Sequence, residues 1–170
     1  MTAGTLHTSG REPMLLDELA SRFDFVMREH LVIDVLPDAA YDAIEQHRPP
    51  DLPWGGGAWQ RLGARPGQEV VFDATARFGI PLRHWHEITV EGLTTVWEPH
   101  LSHVAMAVSV RPYGADRSLL SCEARITLED PASERWFRVY WRLITPVAKV
   151  LTRGMLRAIG AAAHTIGPGK

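Results

Sequence analysis

The sequence predicts an α+β domain in which one long C-terminal helix covers an antiparallel sheet. Three observations predict it. Three segments alternate apolar and polar residues with period two, the signature of strands with one dry face. A long stretch near the C-terminus repeats apolar residues at helical spacing. The two helices expected before the strands are too short to cover such a sheet, so the last helix must do so. At 170 residues, with 45% apolar and 22% charged, the chain has the make-up of one soluble domain with its own core.

The elements follow in order. The first ten residues are polar and read as disordered, and MTAGTLHTSGRE is not a signal peptide. Pro13 to Phe23 (PMLLDELASRF) reads as a short amphipathic helix. FVMREHLVIDVL (25–36) reads as a strand with Met27, Leu31, Ile33 and Val35 on one side. Pro37 and Asp38 open a helix with Asp38 as N-cap, continued by Tyr41, Ile44 and Glu45 and closed by Pro49 and Pro50. DLPWGGG (51–57) has no periodicity and is loop.

Three strands then alternate. Val70, Phe72, Ala74, Ala76 and Phe78 form the dry side of the first, opposite Val71, Asp73, Thr75 and Arg77. Val104, Met106, Val108 and Val110 do so in the second, and Leu120, Cys122, Ala124, Ile126 and Leu128 in the third. PYGAD (112–116) has hairpin chemistry, and 84–98 should hold further short strands. In the last helix Trp136, Phe137, Tyr140, Leu143, Ile144, Val147, Leu151 and Met155 fall on one arc. Pro146 should bend this helix or start a second one.

Charge excludes some functions. The net charge of −2 excludes a generally basic nucleic-acid binder. From Pro131 onward, however, seven Lys or Arg stand against Glu134 alone, a local net of +6 that leaves −8 on the remainder. Arg135, Arg138, Arg142, Lys149, Arg153 and Arg157 form a basic stripe on the expected outer side of the last helix. One cysteine, Cys122, excludes an internal disulfide and fits a reducing, cytoplasmic location. No apolar run reaches the length of a membrane span, so no stable membrane insertion is expected.

Two stretches carry a family resemblance. SCEARITLEDPASERWFRVYWRLITPVAKVLTRGMLRAI (Ser121 to Ile159) places an E-x-R pair, Glu123 and Arg125, on the last strand before an F-R-x-Y-W-x-L-I-x-P run entering the helix. REHLVIDVLPDAAYDAI (28–44) supplies the first strand and helix. Together they resemble the START-like, Bet v 1-like (SRPBCC) superfamily, in its bacterial polyketide cyclase/dehydrase-like or uncharacterised branch. The resemblance implies a helix-grip fold, a curved antiparallel sheet wrapped around a long C-terminal helix. It divides the chain into an N-terminal extension (1–23), a helix-grip domain (24–164) and a disordered tail (165–170).

The resemblance also implies a cavity between sheet and helix for a hydrophobic small molecule. Its expected walls are Phe72, Trp97, Met106, Val108, Cys122, Ala124, Tyr140, Ile144, Val147 and Leu151. Tyr140 brings a hydroxyl that needs a partner when buried. An alternative is a cyclase- or dehydratase-type enzyme using Tyr140, His86 and His100 as acid/base groups. A third reading is a carrier or interaction protein docking through the basic helix face, and homodimerisation is left open.

Other motifs are weaker. His84, His86, His100 and His103 share a 20-residue window, but no metalloenzyme spacing accompanies them, so neither a metal nor a cofactor is expected. WGGGAW (54–59) lacks the ending of a phosphate loop and reads as a flap anchored by Trp54 and Trp59. Cys122, on a dry strand face, reads as packing, and Ser102 and Ser109 have no identifiable base. Glu123 and Arg125 read first as an ion-pair ladder on the wet face.

Overall fold

The structure, a computed structural model, describes residues 13–47, 59–77, 85–86, 101–128 and 134–166. Helix α1 (Leu15–Leu19) precedes strand β1 (Phe25–Ile33) and helix α2 (Pro37–Gln46). Strands β2 (Gln60–Arg65), β3 (Glu69–Arg77), β4 (Trp85–His86), β5 (Leu101–Pro112) and β6 (Ser118–Leu128) follow, and helix α3 (Glu134–Ile166) is last. The sheet order is β1-β6-β5-β3-β2, antiparallel throughout, with β4 pairing the far end of β3. This is the α+β helix-grip arrangement expected from the sequence, a curved sheet with a long C-terminal helix against it.

Alternation placed the three long strands because pleating sends successive side chains to opposite faces. Val70, Phe72 and Ala74 lie on the same face as Val104, Met106, Val108 and Val110, and as Leu120, Cys122, Ala124 and Ile126. All are buried in one core with α2 and α3. Gly114 (φ 79°) lets the β5–β6 hairpin turn back sharply.

Strand β2 escaped the sequence reading. QRLGAR does not alternate, and its pairing with β3 slips between Arg61 and Gly63, so the period-two signal is broken. Its Arg61 forks onto Glu45 of α2 (2.7 and 2.6 Å), which also accepts the Tyr41 hydroxyl at 2.6 Å. Burial, reinforced by that bond, pushes the Tyr41 hydroxyl up to about 12. In α2 the N-cap is Leu36 and Pro37 opens the first turn, so Asp38 sits one position inside the helix instead of capping it. There its charge favours the helix dipole.

The face opposite the core was expected to be wet and is partly dry. Val71, Ala105 and Ala107 are buried there beneath Leu16 of α1, with Leu15, Ala20 and Leu62 around them. The expected helix from Pro13 to Phe23 contracts to five residues, too short to be stable alone, and the sheet holds both its ends. The buried Glu69 carboxylate accepts the Leu15 N–H at the positive end of the dipole. At the other end Arg125 donates to Leu16 O (3.2 Å) and Ala20 O (2.8 Å), pairs with Asp17, and stacks over Phe23.

Helix α3 runs unbroken through Pro146 for 33 residues. Its C-terminal half comes close to β1: a Cβ on Gly160 would stand 3.0 Å from Cγ2 of Ile33. Gly154, also helical, faces open space.

Two outcomes follow from these contacts. Gly154→Ala should stabilise by about 1 kcal/mol, the ordinary helix-propensity gain, whereas Gly160→Ala should lose most or all of that gain against Ile33. Urea unfolding of the pair checks this, and equal gains would refute the close approach. Arg125→Ala should cost about 2–3 kcal/mol through lost charge-assisted bonds. It should also open residues 13–23 to proteolysis before the rest of the domain unfolds.

Candidate functional site

The candidate site is the interior between the sheet and α3. From the sheet, Phe72, Met106, Val108, Cys122 and Ala124 bring fully buried apolar side chains to its inner face. Burial pushes the Cys122 thiol up to about 12, so it is packing and not a nucleophile at neutral pH. Trp97 lies outside the described residues.

The helix contributes unevenly. Phe137 is buried against Phe25, with ring centroids 4.7 Å apart, and Tyr140 and Trp141 flank it. Among residues 138–147 no side chain is buried; Tyr140 and Ile144 are half-buried, and burial raises the Tyr140 hydroxyl above its ordinary range. From Ala148 onward Thr152, Met155, Leu156, Ile159 and Ala163 are buried. Val147 and Leu151 point outward, 57% and 43% exposed. The inward side of α3 is therefore turned from the arc that hydropathy outlines. The small residues Ala148, Gly160 and Ala163, which add little to a hydropathy count, are what the sheet admits closely.

Two polar groups on the inner side did not stand out in the sequence. Glu29 faces inward from β1, between Met27 and Leu31, with only 4% of its surface exposed. Arg153 donates to its Oε2 at 2.6 Å and Lys149 approaches Oε1 at 3.5 Å. Two cations of the expected basic stripe are thus committed to a carboxylate of the sheet. The second group is Thr152, wholly buried, whose hydroxyl has no hydrogen-bond partner among the described residues. A helical threonine usually bonds back to the carbonyl four residues earlier; Thr145 does so with Trp141 at 2.5 Å, and Thr152 does not.

On the outer face the E-x-R pair serves structure. Glu123 accepts Arg28 through Nε (2.7 Å) and Nη2 (3.0 Å), and Arg125 Nε at 2.8 Å. Burial alone would raise the Glu123 carboxyl, but these bonds outweigh it and hold the group below its ordinary value. Asp73, 3% exposed, is different. Burial pushes its carboxyl up to about 6, with His103 on the neighbouring strand opposing the shift.

Of the histidines, His86 of β4 and His103 of β5 both pair through the backbone with Thr75 of β3, one from each side, and His103 is half-buried; His84 and His100 lie outside the described residues. Trp59 belongs to the main core, while Trp54 and the glycines beside it lie outside the described residues. Among the described residues no helix is long and apolar enough to cross a membrane.

No family model matches this chain, and no curated protein does. Solved structures do. A protein from Thermus thermophilus matches at 14% identity and a TM-score of 0.41, over 81% of this chain and 99% of that one. A protein from Rhizobium loti matches at 15% and 0.42, over 81% and 96%. Norcoclaurine synthase from Thalictrum flavum matches at 15% and 0.39, over 96% and 98%. No residue of this chain takes a role from them.

Asp73 sets a pH dependence. Its folded value of about 6 lies above the ordinary 3.8, so the folded state holds the proton more tightly. Its contribution to stability is full below about pH 4 and is lost as pH rises through 6. Asp73→Asn should therefore stabilise at pH 7.5 by up to about 3 kcal/mol and change little at pH 4. Equal shifts in urea midpoint at both pH values would refute the assignment.

Proposed function

We propose that the protein binds a hydrophobic small molecule, aromatic, polyketide-like or lipid-like, between the inner face of the sheet and α3. This is the function expected of the START-like, Bet v 1-like superfamily that the sequence resembles. The observation that carries the reading is the Thr152 hydroxyl, buried in an apolar interior with no partner among the described residues. Leaving a buried hydroxyl unbonded costs about 1–3 kcal/mol, which a polar atom on an otherwise apolar ligand would offset. Residues 138–147, with nothing buried, supply the side from which such a molecule enters, and Tyr140 and Ile144 stand at its mouth. The helical rise separates Tyr140 from Thr152 by about 18 Å, a span suited to an elongated ligand.

Native mass spectrometry of the purified protein, with extraction of bound small molecules, tests occupancy directly. Thr152→Val keeps the shape and removes the hydroxyl. It should stabilise the empty protein by about 1 kcal/mol and weaken an extracted polar-headed ligand roughly tenfold. Ile144→Trp should block uptake while the outward Val147→Trp leaves affinity unchanged. Wild-type protein that carries and takes up no apolar compound would sink the proposal.

A further inference from the structure

The outward side of α3 carries a second feature that interior binding does not use. Val139, Leu143, Val147, Val150 and Leu151 are 59%, 75%, 57%, 67% and 43% exposed. At about 100° per residue, with Val139 at zero, these five occupy the sector from 0° to about 120°. Arg138, Arg142, Lys149, Arg153 and Arg157, all exposed, occupy the adjoining sector from about −100° to 0°. The outward half of the helix is thus divided lengthwise into an aliphatic strip and a cationic strip. From Arg135 to the last residue the sequence holds no Asp or Glu, so no acidic side chain of the helix interrupts either strip.

We infer that this ridge docks on the surface of an anionic phospholipid bilayer, lying in the interface without crossing it. Charge complementarity names the partner: the cationic strip calls for an anionic surface, and the aliphatic strip beside it calls for one with an apolar phase just below the charge. A bilayer interface offers both at that spacing. The aliphatic strip is a line of Val and Leu about 18 Å long from Val139 to Leu151, on the outer side of a single helix. It enters a headgroup layer without needing a shaped partner. An acidic protein surface would match the arginines but leave the aliphatic strip against polar groups. Arg142 and Arg157 are the cations best placed to meet lipid phosphates, since Arg153 and Lys149 already serve Glu29. Docking stands independently of ligand binding, although Tyr140, at about 100°, lies within the aliphatic sector and Ile144, at about 140°, borders it, so both would face the same lipid.

The test is vesicle sedimentation with the full chain, using phosphatidylcholine vesicles with and without about 30% phosphatidylserine. Binding should require phosphatidylserine and weaken with salt. It should fall roughly tenfold or more in Leu143→Asp and in the double variant Arg142→Glu/Arg157→Glu. Leu143 is the most exposed residue of the strip, and far-UV circular dichroism should show both variants folded. Four results overturn the inference: no binding to phosphatidylserine vesicles, equal binding to pure phosphatidylcholine, binding unaffected by Leu143→Asp, or a lipid-free dimer by light scattering that Leu143→Asp dissolves. The last would mean that a second copy covers the strip.

Discussion

The pairing of Glu29 with Arg153 governs how the long helix sits. A carboxylate facing the core side of a strand is costly unless paired, and here α3 supplies the charge. Anchoring Arg153 on β1 fixes the rotation of α3 about its axis. Thr152, one residue earlier, then points into the interior, and Leu143 and Val150 turn to the outside. The close approach of Gly160 to Ile33 fixes the same helix lengthwise at its other end. Interior and exterior of α3 are thus two results of one constraint.

The sheet has a second dependent on its other face. Five residues of helix cannot hold themselves together in water. Glu69 and Arg125 meet opposite ends of α1, each bearing the charge that the helix dipole favours. Leu16 then closes over Val71, Ala105 and Ala107, so the domain is dry on both sides of its central strands. This explains why a motif that reads as surface ion pairing also organises the N-terminal segment.

How much was legible depended on how directly a residue type reports its surroundings. The strands β3, β5 and β6 were legible because apolar and polar residues alternate where one face meets a core. Strand β2 was not, since its bulge and mixed burial erase that alternation. The existence of α3 was legible, but its continuity through Pro146, where the sequence offers a bend or a second helix start, and its rotation were not. Hydropathy ranks Val147 and Leu151 above Ala148 and Gly160, whereas close packing prefers the small residues. Glu29 gives no such signal, because a charge in a strand is expected to face water and only its partners on α3 explain its inward position. The alternation in β3, β5 and β6 also marks which of their side chains are buried. The unpaired hydroxyl of Thr152 had no signal in the sequence, because an unmet hydrogen bond is a property of three-dimensional neighbours.

The buried Cys122 has a practical consequence. Its side chain is buried and its thiol holds its proton far above neutral pH, so a thiol-reactive reagent meets it only when the interior between the sheet and α3 opens. The rate of its labelling is therefore a built-in clock for access to that interior. A cysteine introduced on the exposed ridge would react first and alone, so the natural protein already accepts single-site spectroscopic labels without removal of its own thiol.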